Sequence, residues 1–334
     1  MVRMKAGACR NRSTGRRSPG TSPTCWISAR APSASRTANP HRRGGPFAAP
    51  FFHVSGRLLM TLRIAIVADI HHGAPSHTKR GDAALGLMAE FADWVKAEAP
   101  DLVLDLGDRI SDIDEETDLR LEADVAEAFK AVDVPVHHIC GNHDRDHLSV
   151  AQNEEILGQS LQNEVLDTGD WQIALWRADA KIARDPERRG FHLPEADLLW
   201  LSRTIQAAEK PTLVVSHVPV SGHDQTGNYY FQRSPQFSRY PESDRARQAL
   251  AQARVPVVCL AGHVHWNTVT TVDGIPHLTQ QSLTESFTTQ GAPAGAWGLL
   301  TLTDTAHWQV FGKDPFEARV TPQTGRWTPP LAPF

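Results

Sequence analysis

Seven side chains able to bind hard or borderline metals follow five separate hydrophobic runs: Asp69 and His71, Asp108, Asn142, His217, then His263 and His265. Carboxylates supply charge and can bridge two cations, while imidazoles suit Zn, Fe or Mn. A mixed nitrogen and oxygen set discriminates against Mg and Ca sites built from oxygen alone. One His or one Gly-Asp pair would mean little, because the chain holds 16 His and such pairs are common in turns. His41, His53, His192 and His307 carry no comparable signal. The ordered set differs, because a core gathering several Asp and His side chains is costly without a cation. It predicts a two-metal hydrolytic site.

The runs that precede these residues are Leu62 to Val67, Leu102 to Leu106, Val134 to Ile139, Leu213 to Val215 and Val257 to Leu260. Short, β-branched apolar runs of this kind are buried strands, and open α/β sheets bind ligands beyond the carboxyl ends of their strands. Five strand ends would then deliver all seven side chains to one crevice. Helices are expected between the early strands. Residues 83 to 98 place Leu87, Met88, Phe91, Trp94 and Val95 on one face, and residues 118 to 132 do the same with Leu121, Val125 and Phe129. Pro194 opens a third helix carrying Leu198, Leu201 and Ile205. After His265 the pattern changes to strands at Thr268 to Val272, Ile275 to Thr279, Trp297 to Leu302 and Trp308 to Phe311, read as a closing antiparallel meander.

The chain is not homogeneous. Residues 1–59 contain ten Arg and one Lys with no Asp or Glu, and read as a basic disordered segment. It is a targeting segment, a nucleic-acid-binding arm or a stretch translated ahead of a true start at Met60. The last is preferred, because the first strand begins within two residues of Met60. Residues 60–313 form the expected catalytic domain, and residues 314–334, rich in Pro and Thr, an irregular tail. Residues 60–334 hold 23 basic against 38 acidic residues, about −15 formally. That charge argues against duplex nucleic acid, whose binding rests on basic contacts to phosphate. No stretch approaches the roughly 18 apolar residues of a membrane span. Cys140 and Cys259 form no paired-cysteine metal motif and are expected as packed thiols in a cytoplasmic protein.

Read in order, Asp69-Ile70-His71, Gly107-Asp108, Gly141-Asn142-His143-Asp144, His217 and Gly262-His263-Val264-His265 resemble the calcineurin-like metallophosphoesterase superfamily over about residues 60 to 280. The resemblance implies an α/β fold, a β-sandwich of two mixed sheets flanked by helices with a dimetal site at the strands' carboxyl ends. It puts Asp69, His71 and His265 on one metal and Asn142, His217 and His263 on the other, with Asp108 bridging. The metals would be Mn, Fe or Zn. Two cations roughly 3.5–4 Å apart stabilise the attacking and leaving oxygens of an in-line displacement and lower the pKa of a bridging water. His143, by the same resemblance, stays off the metals and assists the leaving group. Asp144, next in sequence, is the candidate to orient it. Arg109 departs from a pattern that often has an apolar residue there; a salt bridge to Asp112 is expected, with contact to phosphate as the alternative.

The implied activity is a phosphodiesterase acting on a small phosphorylated substrate, such as a cyclic nucleotide or a glycerophosphodiester. A second reading is cleavage of nucleotide diphosphate linkages, as in ADP-ribose or CDP-alcohols, which Gly274-Ile275-Pro276-His277-Leu278-Thr279 resembles. A non-catalytic scaffold is disfavoured because every ligand position is filled. Residues 220 to 242 follow His217 as a long loop with Tyr229, Tyr230, Phe231 and Tyr240. Such loops are commonly lids, and these rings would stack on a nucleobase, pack on the domain or fill a homodimer contact. His77, His147 and His223 are further candidates to line the cleft.

Overall fold

A computed structural model describes residues 60–332 apart from 186 and 188. The readings made of residues 1–59 lie outside the described residues. Strands β1 (Leu62–Val67), β2 (Leu102–Asp105) and β3 (Val136–His138) alternate with helices α1 (Ala84–Glu98) and α2 (Glu115–Phe129). Two short helices, α3 (Asn142–Asp146) and α4 (Val150–Leu157), lead to β4 (Glu164–Asp167) and β5 (Gln172–Leu175). Helix α5 (Glu195–Ala207), β6 (Thr212–Ser216), α6 (Ser243–Leu250) and β7 (Val257–Ala261) follow. The chain closes with β8 (Thr268–Val272), β9 (Ile275–Thr279), β10 (Trp297–Leu302), β11 (Ala306–Phe311) and β12 (Phe316–Val320).

These strands form two six-stranded mixed sheets, ordered β12-β11-β10-β1-β2-β3 and β4-β5-β6-β7-β9-β8. Side chains alternate faces along a strand, and β1 shows the result. Ile64 and Ile66 enter a core that also takes Ile173, Leu213 and Val258 from the other sheet. Ala65 and Val67 face Met88, Phe91, Val125 and Phe129 of α1 and α2. Val214 and Val257 of the second sheet likewise meet Leu198, Leu201 and Ile205 of α5. The expected sandwich flanked by helices is therefore present, and the buried, two-sided strands explain their near-continuous apolar sequences.

Two expectations are corrected at the C-terminal end. The strands after His265 are not one meander: β9 runs parallel to β7 in the second sheet, whereas β10, β11 and β12 are antiparallel neighbours in the first. The tail is also not wholly irregular. Phe316-Glu317-Ala318-Arg319-Val320 alternates at the strand period and pairs with β11 from Ala306↔Val320 to Val310↔Phe316. Downstream, the backbone N–H of Val257 donates to the Gln323 carbonyl at 2.9 Å. The expected thiols Cys140 and Cys259 are free, and Cys259 is buried. Among the described residues no helix is long and apolar enough to cross a membrane.

Candidate dimetal active site

All five expected strand ends point into one place. Ligand atoms of Asp69, His71, Asp108 and His265 lie within 4.8 Å of one another, and so do those of Asp108, His217 and His263. Asp108 belongs to both groups. Its Oδ2 stands 3.9 Å from His71 Nε2 and 3.4 Å from His217 Nε2. Asn142 joins the second group through Oδ1, 3.3 Å from His217 Nε2. The structure thus brings together all seven residues singled out in the sequence, each of them buried.

The backbone is contorted to achieve this. Asp69, His71, Asp108, His263 and His265 have φ of 51°, 48°, 55°, 70° and 61°, the left-handed region that is uncommon for residues other than Gly. Asp and His enter this region more readily than most side chains, but five such residues in one place are unusual, and such conformations gather at functional sites where surrounding contacts impose them. Close approach of loops supplies the contacts. Gly107, at φ 91°, lies so near Gly141 that a Cβ on Gly107 would collide with the Gly141 backbone. This juxtaposition accounts for the Gly in both Gly107-Asp108 and Gly141-Asn142.

Three imidazoles have one nitrogen occupied and the other turned inward. His217 Nδ1 meets the Leu106 carbonyl at 2.8 Å, His265 Nδ1 meets Glu285 Oε2 at 2.8 Å, and His263 Nε2 meets the Phe237 carbonyl at 2.7 Å. That is how metal-ligating imidazoles are commonly oriented, with the free lone pair presented to the cation. His263 Nδ1 is buried without a partner. His71 Nε2 and His265 Nε2 are 3.0 Å apart, the spacing expected when two nitrogens about 2.1 Å from a shared cation subtend roughly a right angle.

The electrostatics agree. Burial pushes His263 down to about 3, and burial together with nearby Lys79 holds His71 well below its usual value, so both are neutral donors. Burial also opposes charge on His217 and His265, but Asp108 raises the first and Asp69 and Glu285 raise the second, each to about 9. Without cations the carboxylates therefore hold protons on these rings. Metal binding would replace those protons. Donor chemistry, inward lone pairs and an orphaned nitrogen all fit two transition-metal ions.

His143 lies at the site's edge, its ring 4.7 Å from that of His71. Its Nδ1 pairs with Asp112, and the neighbouring Asp144 is elsewhere. Asp144 accepts three backbone N–H groups, from Asp108 at 2.8 Å, Arg109 at 2.7 Å and Gly141 at 2.8 Å. The expectation that Asp144 orients His143 is corrected accordingly: its carboxylate is turned under the loops that carry Asp108 and Asn142. Arg109 is also corrected. It turns inward, away from Asp112 and the cleft, to Asp105 at 2.8 Å, Asp144 at 3.3 Å and the adjacent Glu122.

The cleft above the ligands has a volume of about 330 Å³ and is lined on its outer side by Lys79, Arg184, Arg189, Tyr230, Phe231 and Phe237. Part of the loop after His217 therefore forms its wall. Tyr240 instead is buried against Trp176 and Phe191, and Tyr229 remains 54% exposed. None of His77, His147 and His223 lines this cleft. His147 pairs with Asp118 at 2.8 Å, and the His223 ring accepts the Gln225 N–H at 3.0 Å. His277 of the 274–279 stretch is buried within β9 and contributes nothing to the cleft.

Sequence reasoning missed Glu285, Asp112's contact with His143, and Lys79. Residues 280–286, which carry Glu285, are nearly all polar yet buried, a combination that follows no strand or helix period. They support the site directly: Ser282 Oγ donates to the Asp69 carbonyl at 2.6 Å.

Two ligand groups sharing one carboxylate, at one end of a double-sheet sandwich, define the class of metal-dependent phosphoesterases. The chain belongs to the calcineurin-like phosphoesterase family, whose sequence model matches residues 62–267. A dimetal phosphatase from Danio rerio is similar in fold, with a TM-score of 0.63 and 16% identity, over 78% of this chain and 99% of that one. GAP50, the anchor in the inner membrane complex of Plasmodium, matches 79% of this chain and 90% of its own at 12% identity and a TM-score of 0.49. Comparison with curated proteins gave no significant match.

Proposed function

We propose that this protein is a dimetal phosphodiesterase acting on small phosphorylated substrates, nucleotides among them. The observation that carries the reading is the position of Asp108 in both ligand groups, flanked by His71 and His217. Asp69, His71 and His265 would hold one metal and Asn142, His217 and His263 the other, with Asp108 common to both groups. When bound, Mn, Fe or Zn ions supply the charge that activates water and stabilises the in-line displacement.

The chain's own groups do the rest. His143 carries a proton to the leaving oxygen, with its ring held by Asp112 through Nδ1. Asp144 fixes the backbone of Asp108 and Gly141 so that neither loop drifts. Tyr230 and Phe231 narrow the cleft beside His265 and His263, with ring separations of 5.3 Å and 5.1 Å, and keep bulk water out. The free thiols Cys140 and Cys259 support a cytoplasmic location.

A substrate panel tests the reading. Metal-loaded protein is expected to cleave a phosphodiester faster than the matching monoester. A preference for ADP-ribose or a CDP-alcohol would replace it with the nucleotide diphosphate reading. Failure to cleave any phosphate ester would remove both.

A further inference from the structure

Lys79 is a buried ammonium at the wall of the cleft, only 7% exposed. Lysines are almost never buried unless paired, yet among the described residues no carboxylate lies within ion-pair distance of its Nζ. Its one hydrogen-bond contact there is His143 Nε2, at a long 3.4 Å. An ammonium has three donors and no acceptor, so donors remain to be spent, and the cleft that holds Asp108 and Asn142 is where they face.

The position is built rather than incidental. Ser76 and Lys79 exchange backbone hydrogen bonds at 3.0 and 2.8 Å, closing a tight turn with His77 at φ 53°. The turn is held against the segment carrying Glu285, where the Arg80 N–H donates to the Thr284 carbonyl at 3.0 Å and Ser286 Oγ to the Thr78 carbonyl. Thr78 Oγ1 lies 2.7 Å from the Tyr230 hydroxyl, tying it to the aromatic wall as well. A side chain mounted this rigidly can meet a ligand at little ordering cost. Burial lowers its pKa from the usual lysine value, and the carboxylates of Asp108 and Asp112 oppose that shift.

We propose that Lys79 is a phosphate-binding catalytic residue, its ammonium donating to a nonbridging oxygen of the bound phosphoryl group. The inference rests on the phosphoesterase reading. An oxygen drawn to Lys79 Nζ competes with its contact to His143 Nε2. No sequence motif marks the residue; only the fold sets it beside His143.

The test uses metal-saturated protein and inorganic phosphate, with affinity measured by titration calorimetry, so that it does not depend on turnover. Lys79→Met is expected to weaken phosphate binding by about tenfold to hundredfold, the worth of a charge-assisted hydrogen bond. Lys79→Arg, which keeps the charge, should stay within about threefold of wild type. Wild-type affinity in Lys79→Met would overturn the proposal, as would an equal loss in Lys79→Arg, which would trace the effect to packing. A wild type that binds phosphate through Lys79 but cleaves no phosphate ester would defeat the functional reading, and with it the catalytic part of this proposal, while leaving the phosphate-binding role of Lys79 standing.

Discussion

His143 is oriented by Asp112, a carboxylate 31 residues earlier in the chain, through its Nδ1. The arrangement leaves Nε2 turned toward the cleft and Lys79. A ring held this way by a carboxylate is positioned for proton transfer.

Replacement of His143 by Ala is expected to lower kcat by about 10²- to 10⁴-fold, the range for loss of a general acid, with both metals retained. Asp112→Asn should also lose activity, by up to about 10⁴-fold and chiefly in kcat, because the ring is misdirected rather than removed. Steady-state kinetics on metal-saturated variants provide the check. Equal kcat in Asp112→Asn and wild type would show that the pair has no part in turnover.

Asp144 should behave differently. Its carboxylate binds three backbone N–H groups and one side of the buried Arg109, so Asp144→Ala leaves three buried donors without a partner. A loss of about 3–5 kcal/mol of stability is expected, read by denaturant unfolding. A stable Asp144→Ala protein whose only defect was in kcat would restore the orienting role that its sequence position implied.

Glu285→Gln is expected to weaken metal binding by about tenfold to hundredfold, because its carboxylate holds His265 through Nδ1 at 2.8 Å. Competition with a metallochromic chelator measures this. The same substitution should spare folding, since Gln preserves shape and one hydrogen-bond acceptor.

Arg109 faces three buried carboxylates, and one guanidinium cannot neutralise them all. Burial, opposed by Arg109, pushes Glu122 from 4.5 up to about 8, and its Oε2 has no hydrogen-bond partner. The folded protein therefore holds a proton that the unfolded chain releases. Its contribution to stability is full below about pH 4.5 and is lost as pH rises through about 8. Glu122→Gln should remove this dependence, so wild type should lose melting temperature relative to the variant between about pH 5 and about pH 9. Parallel melting curves across that window would contradict the assignment.

The seven candidate ligands were legible because each follows a strand, most of them buried, and strands of this kind announce themselves as short apolar runs. Leu62–Val67 and Val257–Ala261 end two residues short of Asp69 and His263, which the sequence alone suffices to locate. Side chains that act on those ligands were not legible, because their partners are set by tertiary packing. Glu285 reaches His265 from a connection between sheets, and Asp112 reaches His143 across the loops after β2 and β3. Adjacency in sequence misled at Asp144, since a short helix beginning at Asn142 turns consecutive side chains in different directions. The left-handed backbone at five of these positions was likewise invisible, as no Gly marks them and Asp and His adopt it only in a minority of cases. Strand β12 was readable from its alternation, but the Pro and Thr that follow obscured it.

The central claim is a paired metal centre joined by Asp108, and metal stoichiometry coupled to turnover tests it most directly. Wild type should bind two equivalents of Mn, Fe or Zn, lose phosphodiester hydrolysis on chelation and regain it on reconstitution. Asp108→Asn should bind fewer than two equivalents and lose activity by at least about 10²-fold. Hydrolysis that persists after complete metal removal, or an Asp108→Asn protein with full metal content and full activity, would contradict the account.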